Sequence, residues 1–381
     1  MILAIEANNI RSDGGIQFLK NIIQEIKFSK RGLKKIYIWG EEKLLTQLPN
    51  SKFIIKKKIL LTNINFINII IRLFWHIFLF KRLIQKKKCD IVYFPGGINI
   101  SGIKKSKTII SILNLEPFFH DIFYDSYFSF KKLRLLILKK IILISSKKSS
   151  GVIFLNNYFK NFFKKNYNMN IISAICNIGV KINKGKLKKQ KKITKYSKKK
   201  RFVLGYVSTI FSYKNHLQTI LAVQKLIQED LPVSLVMIGR NHDNLILKKI
   251  KNLIRNEKYI KYLGYLSRQE LEKYYKNKID LKIFSSRCEA FPNILLEAAN
   301  YNLPIACSNF EPMPSILGKN CIYFNPNLKE DIYKKIKLYL NNPKLRTKNI
   351  KKTKRMLINN YSWKKSSNNF LRFIKLLDHN N

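Results

Sequence analysis

Cysteine is sparse. Five residues in 381 (Cys89, Cys176, Cys288, Cys307 and Cys321) are scattered with no CxxC pair. An odd, dispersed set in a chain this long excludes a disulfide framework and fits a reducing, cytoplasmic setting. The five histidines do not cluster and no metal-ligand spacing occurs, so neither a metal nor another cofactor is expected. The opening segment MILAIEANNI lacks a basic region followed by an apolar one, so it does not read as a signal peptide. Uninterrupted apolar runs are also missing. Residues 59–80, ILLTNINFINIIIRLFWHIFLF, come closest, but Asn63, Asn65, Asn68, Arg72 and His76 break the run. A spanning helix needs about 20 mostly uncharged residues, and Arg72 near its middle would be costly. The lysine-rich flanks suit a helix packed on its own domain, or one lying on an anionic membrane surface.

Acidic residues are few: 22 Asp and Glu stand against 74 Lys and Arg, for a formal net charge of +52. Such an excess draws polyanions, whether nucleic acid, anionic lipid or phosphate-bearing substrates. Lysine, isoleucine and asparagine are abundant in loops and helices alike, as in a composition shaped by an A/T-rich genome, so the charge reads as part function and part drift. Hydrophobic residues make up 46% of the chain, which is a globular composition and excludes disorder as the main state.

What is present is an alternation of short apolar runs and helical spacings. Strands are expected at 2–7, 34–40, 89–97, 108–113, 150–155 and 171–180, with a helix from Ile16 after a loop holding Ser12, Asp13, Gly14 and Gly15. Residues 181–201 are almost wholly polar, with no core-forming periodicity, and read as a linker. The alternation then restarts, with strands at 201–208, 234–239, 259–266, 279–286, 304–309 and 320–325 and a closing helix at 361–377. Strands alternating with helices imply parallel sheets covered on both faces. The expected organisation is a Rossmann-like domain over 1–182, a basic linker over 183–200, a second Rossmann-like domain over 201–360 and a C-terminal helix over 361–381 that returns toward the first domain.

The chemistry concentrates in SSRCEAFPNILLEAANYNLPIACS (285–308). Ligands of parallel α/β sheets bind beyond the carboxyl ends of the strands. Glu289 follows such an end, Pro292 suits a first helical turn, and Glu297 lies one to two turns into the helix. Amides at the helix start, around Asn293 and Ile294, make an anion seat. An anion beside carboxylates that accept hydroxyl hydrogen bonds describes a sugar nucleotide. Lys214, in GYVSTIFSYKNH (205–216), ends a strand-to-helix loop and can meet a phosphate as a point charge. Gly14 and Gly15 permit close backbone approach to a ligand.

The segment CEAFPNILLEAANYNLPIACSNFEPMPSIL resembles the E-x7-E region of the retaining glycosyltransferase family 4, and GYVSTIFSYKNH, YLGYLSRQELEKYYKN, SGVIFLNNYFKNFF, ICNIGV and YSW resemble other stretches of it. The likeness is specific from about 201 to 363. It implies the GT-B fold, two facing Rossmann-like domains with parallel sheets and a C-terminal crossover helix. It also implies metal-independent transfer from a nucleotide-diphosphate sugar to a glycan or lipid-linked acceptor, as in cell-surface polysaccharide or lipopolysaccharide assembly. Residue by residue, it implies that Glu289 contacts the donor sugar, Glu297 the ribose hydroxyls and Lys214 the leaving diphosphate. Gly14 and Gly15 would lie against the phosphates, and Phe291 and Asn293 would offer backbone N–H groups. Three places depart from the family pattern, one of them Ala290, where a glycine is common after the first glutamate. Ser208 stands where an arginine is common, with Arg240 as a replacement; Leu113 and Asn114 stand where a histidine is common, leaving Asn114, Glu116 and His120 as acceptor-side candidates. Competing readings are a basic nucleic-acid binder and a non-catalytic family member. No nucleic-acid-binding motif occurs, so no specific nucleic acid is expected as a partner.

Overall fold

The computed structural model describes residues 1–29, 32–59, 65–119, 130–182, 190 and 193–379. Among them the chain divides into two compact units. The first gathers Met1 to Gly179 and Trp363 to His379, and the second Val180 to Ser362.

The first unit is built on seven strands: β1 (Ile2–Glu6), β2 (Lys35–Gly40), β3 (Ile54–Lys58), β4 (Ile91–Phe94), β5 (Lys107–Ser111), β6 (Gly151–Phe154) and β7 (Ser173–Ile175). All pair in parallel, in the order β3-β2-β1-β4-β5-β6-β7. The central strands are apolar runs, as in sheets covered on both faces. Leu3, Ile5, Ile91, Val92, Ile109 and Ile110 are essentially unexposed. The sequence signal misses β3. Its IIKKK contains no alternation to read, and its lysines suit an outermost strand, where charge blocks further pairing.

The helix Asp13–Gln24 begins at the Ser12 cap, whose Oγ accepts the Gly15 N–H at 3.2 Å, three residues earlier than its apolar spacing predicts. The closing helix, Trp363–His379, belongs to this unit. Its Phe370 ring lies 5.1 Å from Tyr93, and Ser367 Oγ donates to Ile22 O at 3.0 Å.

Of the apolar segment 59–80, residues 60–64 lie outside the described part. From Asn65 it forms an α-helix to Phe74 and a wider π-helical stretch, Trp75–Phe80, followed by a helix at Lys81–Lys86. His76 and Phe80 turn inward onto Phe94. Ile70, Leu73, Phe74, Ile77, Phe78 and Leu79 remain 42–53% exposed. No described helix is long and apolar enough to cross a membrane.

The second unit has six parallel strands: β8 (Phe202–Val207), β9 (Val233–Ile238), β10 (Ile260–Tyr262), β11 (Leu281–Phe284), β12 (Ile305–Ser308) and β13 (Ile322–Phe324), in the order β10-β9-β8-β11-β12-β13. Connections step outward to one side from β8 and to the other side from β11. The loops leaving β8 and β11 therefore diverge and open a crevice at their carboxyl ends. All five cysteines are free and buried. The expected α/β class, with two Rossmann-like parallel-sheet domains, is what the chain forms.

Candidate functional site

At the β8/β11 divergence the two loops are laced together. The Tyr206 hydroxyl donates to the Lys214 carbonyl and accepts the Ser285 N–H at 3.2 Å. The Arg287 N–H donates to Tyr213 O at 2.9 Å, and the Thr219 and Ser285 hydroxyls share a 2.5 Å hydrogen bond. Lys214 closes the short turn Ser212–Lys214, and Asn215, in the left-handed region, leads into the helix His216–Gln228. The turn aims the Lys214 ammonium at Glu289 in the loop after β11. The two are ion-paired across 75 positions of sequence, with side chains 9% and 13% exposed. A pair so shielded from water is held by geometry, unlike a surface pair.

The strand ends, loops and helix starts that follow β8 and β11 also bear buried polar atoms with no partner among the described residues: Ser208 Oγ, Asn293 Oδ1, Arg287 Nε and both ring nitrogens of His216. Buried polar groups are ordinarily satisfied, so a cluster of exceptions at one sheet edge marks a place for a polar ligand. His216 stacks on Tyr206 with ring centroids 4.3 Å apart. Its burial, with the charge of Lys214, pushes its pKa down to about 3. Lys282, in the middle of β11, is fully buried and donates to Val207 O at 2.9 Å. Neither Lys282 nor His216 is legible as a site residue in the sequence. The alternation of strands and helices implies a sheet covered on both faces, but a lone lysine in LKIF carries no motif that marks it as part of a site.

Glu297 lies in the helix Asn293–Asn300 and receives Arg268 Nη1 at 3.4 Å; Arg268 also pairs with Glu272. Burial raises the Glu297 pKa, against the opposing pull of Arg268. Helix Asn293–Asn300 starts one residue after Pro292, which is its cap position. The Asn293 amide donates to Phe291 O at 2.9 Å in the tight turn at Pro292, so of the expected amide seat this one N–H is already engaged. Phe291 is buried with its ring against Tyr361, and Ile294 is half-buried beside Asn293.

Ser208 follows β8 and is buried. Arg240 follows β9 and lies over the Tyr265 ring, with its guanidinium carbon 4.2 Å from the centroid. Between them Gly239 is required by close approach, since a Cβ there would stand 1.9 Å from Ser208 O. The second unit thus holds Lys214, Glu289, Glu297, Phe291, Asn293, Ile294, Ser208 and Arg240. Gly14 and Gly15 belong to the first unit, in the opening turn of the helix Asp13–Gln24, where Gly14 is exposed and Gly15 buried. Asn114 and Glu116 are also in the first unit. The Asn114 Oδ1 accepts the Glu116 N–H at 2.9 Å and so starts the turn Glu116–Phe118. His120 lies outside the described residues.

The first unit has a buried polar cluster of its own, which sequence reasoning does not reveal. Glu6 ends β1 and is 1% exposed, and His76 Nε2 stands 3.4 Å from its Oε2. Asn8 is fully buried beside Glu6, whose Oε1 accepts the Asn8 backbone N–H at 3.4 Å. Burial raises Glu6 to about 8 and lowers His76 to about 4, since neither charged form keeps its water. β1 and β4 are the divergent strands of this sheet, so the cluster sits at its ligand end. Among all described residues, no group of three or more His, Cys, Asp or Glu side chains is placed to hold a metal ion.

Residues 188–356 match the family model described as Glycosyl transferases group 1. This range contains Lys214, Lys282, Glu289 and Glu297. The serotype-specific mannosyltransferase WbdA of Escherichia coli is 27% identical over 177 residues, 45% of this chain. The aligned part makes up 21% of WbdA, so the match spans about a fifth of that protein's length. Among solved structures, a glycosyltransferase from Rickettsia africae matches with a TM-score of 0.71 at 16% identity, over 100% of this chain and 99% of that one. HepE from Anabaena, solved with UDP and glucose, matches with a TM-score of 0.68 at 14% identity, over 99% and 100%. The chain shares the two-domain GT-B fold of these proteins, and its residues 188–356 are similar to the group 1 glycosyl transferases.

Proposed function

We propose that the chain is a retaining, family 4-like glycosyltransferase that moves a sugar from a nucleotide-diphosphate donor to a glycan or lipid-linked acceptor in the assembly of a cell-surface polysaccharide. The observation that carries the reading is the shielded Lys214–Glu289 pair at the β8/β11 divergence, on strand ends and loops that also bear unpartnered buried polar atoms. In this reading the donor diphosphate takes the Lys214 ammonium from Glu289. The ammonium then stands where negative charge grows as the sugar–phosphate bond breaks, and stabilises the transition state more than the ground state. Glu289, released, accepts hydroxyl hydrogen bonds from the donor sugar. Glu297 takes the ribose hydroxyls, with Arg268 holding its carboxylate in place. Support for the donor class comes from HepE, solved with UDP and glucose, and support for the setting comes from the serotype-specific role in WbdA's name. The test is release of nucleoside diphosphate from a panel of nucleotide sugars, with the anomeric configuration of the product read by NMR. No turnover with any donor, or an inverted product, overturns the reading.

The same reading places the chain at an anionic membrane surface as a peripheral protein, where lipid-linked acceptors reside. The exposed face Ile70, Leu73, Phe74, Ile77, Phe78 and Leu79 is flanked by Lys57 and Lys58 on one side and by Lys81, Arg82 and Lys86 on the other. An apolar face between clusters of cations matches the acyl boundary and the anionic headgroups of a bilayer. Flotation with phosphatidylglycerol vesicles, lost in high salt and absent with neutral vesicles, is the expected result.

A further inference from the structure

Lys282 is the least expected charge in the second unit. It lies on β11, inside the sheet, between β8 and β12. Its side chain is 0% exposed. An ammonium carries three N–H donors, and here Val207 O takes one at 2.9 Å. No carboxylate among the described residues stands within ion-pair distance of it. The aromatic faces nearby are Tyr206 and Phe284, with centroids 5.8 and 5.5 Å from the nitrogen. The titratable groups that face it come from every neighbouring element. They are Glu297 on the helix after β11, Glu289 on the intervening loop, Lys214 on the turn after β8, Cys307 on β12, and His216 at the start of the next helix. Val207, which accepts its hydrogen bond, precedes Ser208, whose buried Oγ has no partner.

An ammonium so placed is under-solvated. Burial pushes its pKa well below the usual lysine range and Lys214 pushes it the same way, against the pull of the two glutamates. A diphosphate held by Lys214 would bring more than one negative charge to the same strand ends. It would add to the pull of the two glutamates, outweigh the cost of burial and restore the charged form.

We propose that Lys282 takes up one proton from solvent when a nucleoside diphosphate occupies the β8/β11 site and returns it when the nucleotide leaves. This makes Lys282 a positioning residue whose charge appears only in the loaded site. The inference rests on the donor site proposed above and deepens it. Donor binding becomes proton-coupled, and the affinity falls as pH rises.

The experiment is calorimetric titration of UDP and of GDP into the full chain at pH 8, in HEPES and in Tris, whose ionisation enthalpies differ. At this pH the terminal phosphate is already deprotonated and contributes no uptake. The expected result is a binding heat that shifts between buffers by the equivalent of about one proton, and a Kd that weakens up to about tenfold per pH unit. Lys282→Met fills a similar volume without the buried amine, so it is expected to fold with unchanged or higher Tm. It should bind the nucleotide with no buffer-dependent heat and a flat Kd against pH. A nucleotide that binds with no buffer dependence overturns the inference alone. So does uptake that persists in Lys282→Met, because the proton then belongs elsewhere, with His216 the first suspect. If neither nucleotide binds, the donor site itself is wrong and both readings fall.

Discussion

The Lys214–Glu289 pair allows stability and catalysis to be separated. Replacing Lys214 with methionine leaves the Glu289 carboxylate 13% exposed and without its cation. Removing one partner of a buried pair costs about 3–5 kcal/mol, most of it the price of the charge left behind. Glu289→Gln strands the ammonium in the same way, although the Tyr213 and Phe284 rings, 4.9 and 5.3 Å from the nitrogen, soften the loss. In the double variant no charge is stranded, and most of the lost stability returns. Activity should not follow. Removing one preorganised group that meets developing charge costs about 10²–10³ in turnover, and the double variant still lacks that group. The measurement is helpful in an unusual way, because the three tryptophans, Trp39, Trp75 and Trp363, all lie in the first unit. Their fluorescence should report an unmoved transition, while circular dichroism follows the second unit. Donor hydrolysis is assayed on the same samples. If turnover recovers in the double variant along with stability, the pair is a structural strut and the proposed site is refuted.

Other outcomes follow from the same geometry. Glu6, raised from 4.5 to about 8, stabilises the first unit fully below 4.5 and loses that contribution as pH climbs to 8; His76, lowered from 6.5 to about 4, contributes above 6.5 and loses it as pH falls to 4. The two slopes cancel between about 4.5 and 6.5, so stability should drop by roughly 2 kcal/mol between pH 6.5 and 8. Glu6→Gln should abolish that alkaline loss in tryptophan-monitored unfolding; an unchanged slope would assign it elsewhere. Gly239→Ala forces a methyl against Ser208 O and should cost about 3 kcal/mol or more with loss of donor hydrolysis, while wild-type activity in this variant would contradict the packing of the β8 and β9 loops. Phe74→Glu with Phe78→Glu changes only exposed side chains, so vesicle flotation should fail while donor hydrolysis in solution stays intact; retained flotation would discard this face as the membrane contact.

Much of the architecture is written locally. Apolar runs such as ILAIE, IVYF and FVLGYV sit between turn signals, and their length and continuity announce buried parallel strands before any contact is known. The divergent loops after β8 and β11 could be marked as ligand-bearing because the strand ends were legible, and with them Lys214 and Glu289. The edge strand β3 escaped because three lysines mask its pairing. The π-helical stretch at Trp75–Phe80 escaped because its spacing differs from an α-helix by one residue per turn, too little to see over six positions.

The remainder belongs to tertiary structure. Order of strands and helices, the two-unit division and the sheet edge that carries the site follow from patterns that a chain imposes on its near neighbours. Which carboxylate meets which ammonium does not, because that contact joins residues 75 positions apart and depends on how two loops are tied by Tyr206 and Ser285. The same holds for Lys282, Glu6 and His76: the apolar residues beside them announce a strand or helix, but not that these polar side chains lose their water. Dehydration is imposed by strands and helices that arrive from elsewhere in the chain, and it is dehydration that turns ordinary charged residues into chemically distinctive ones.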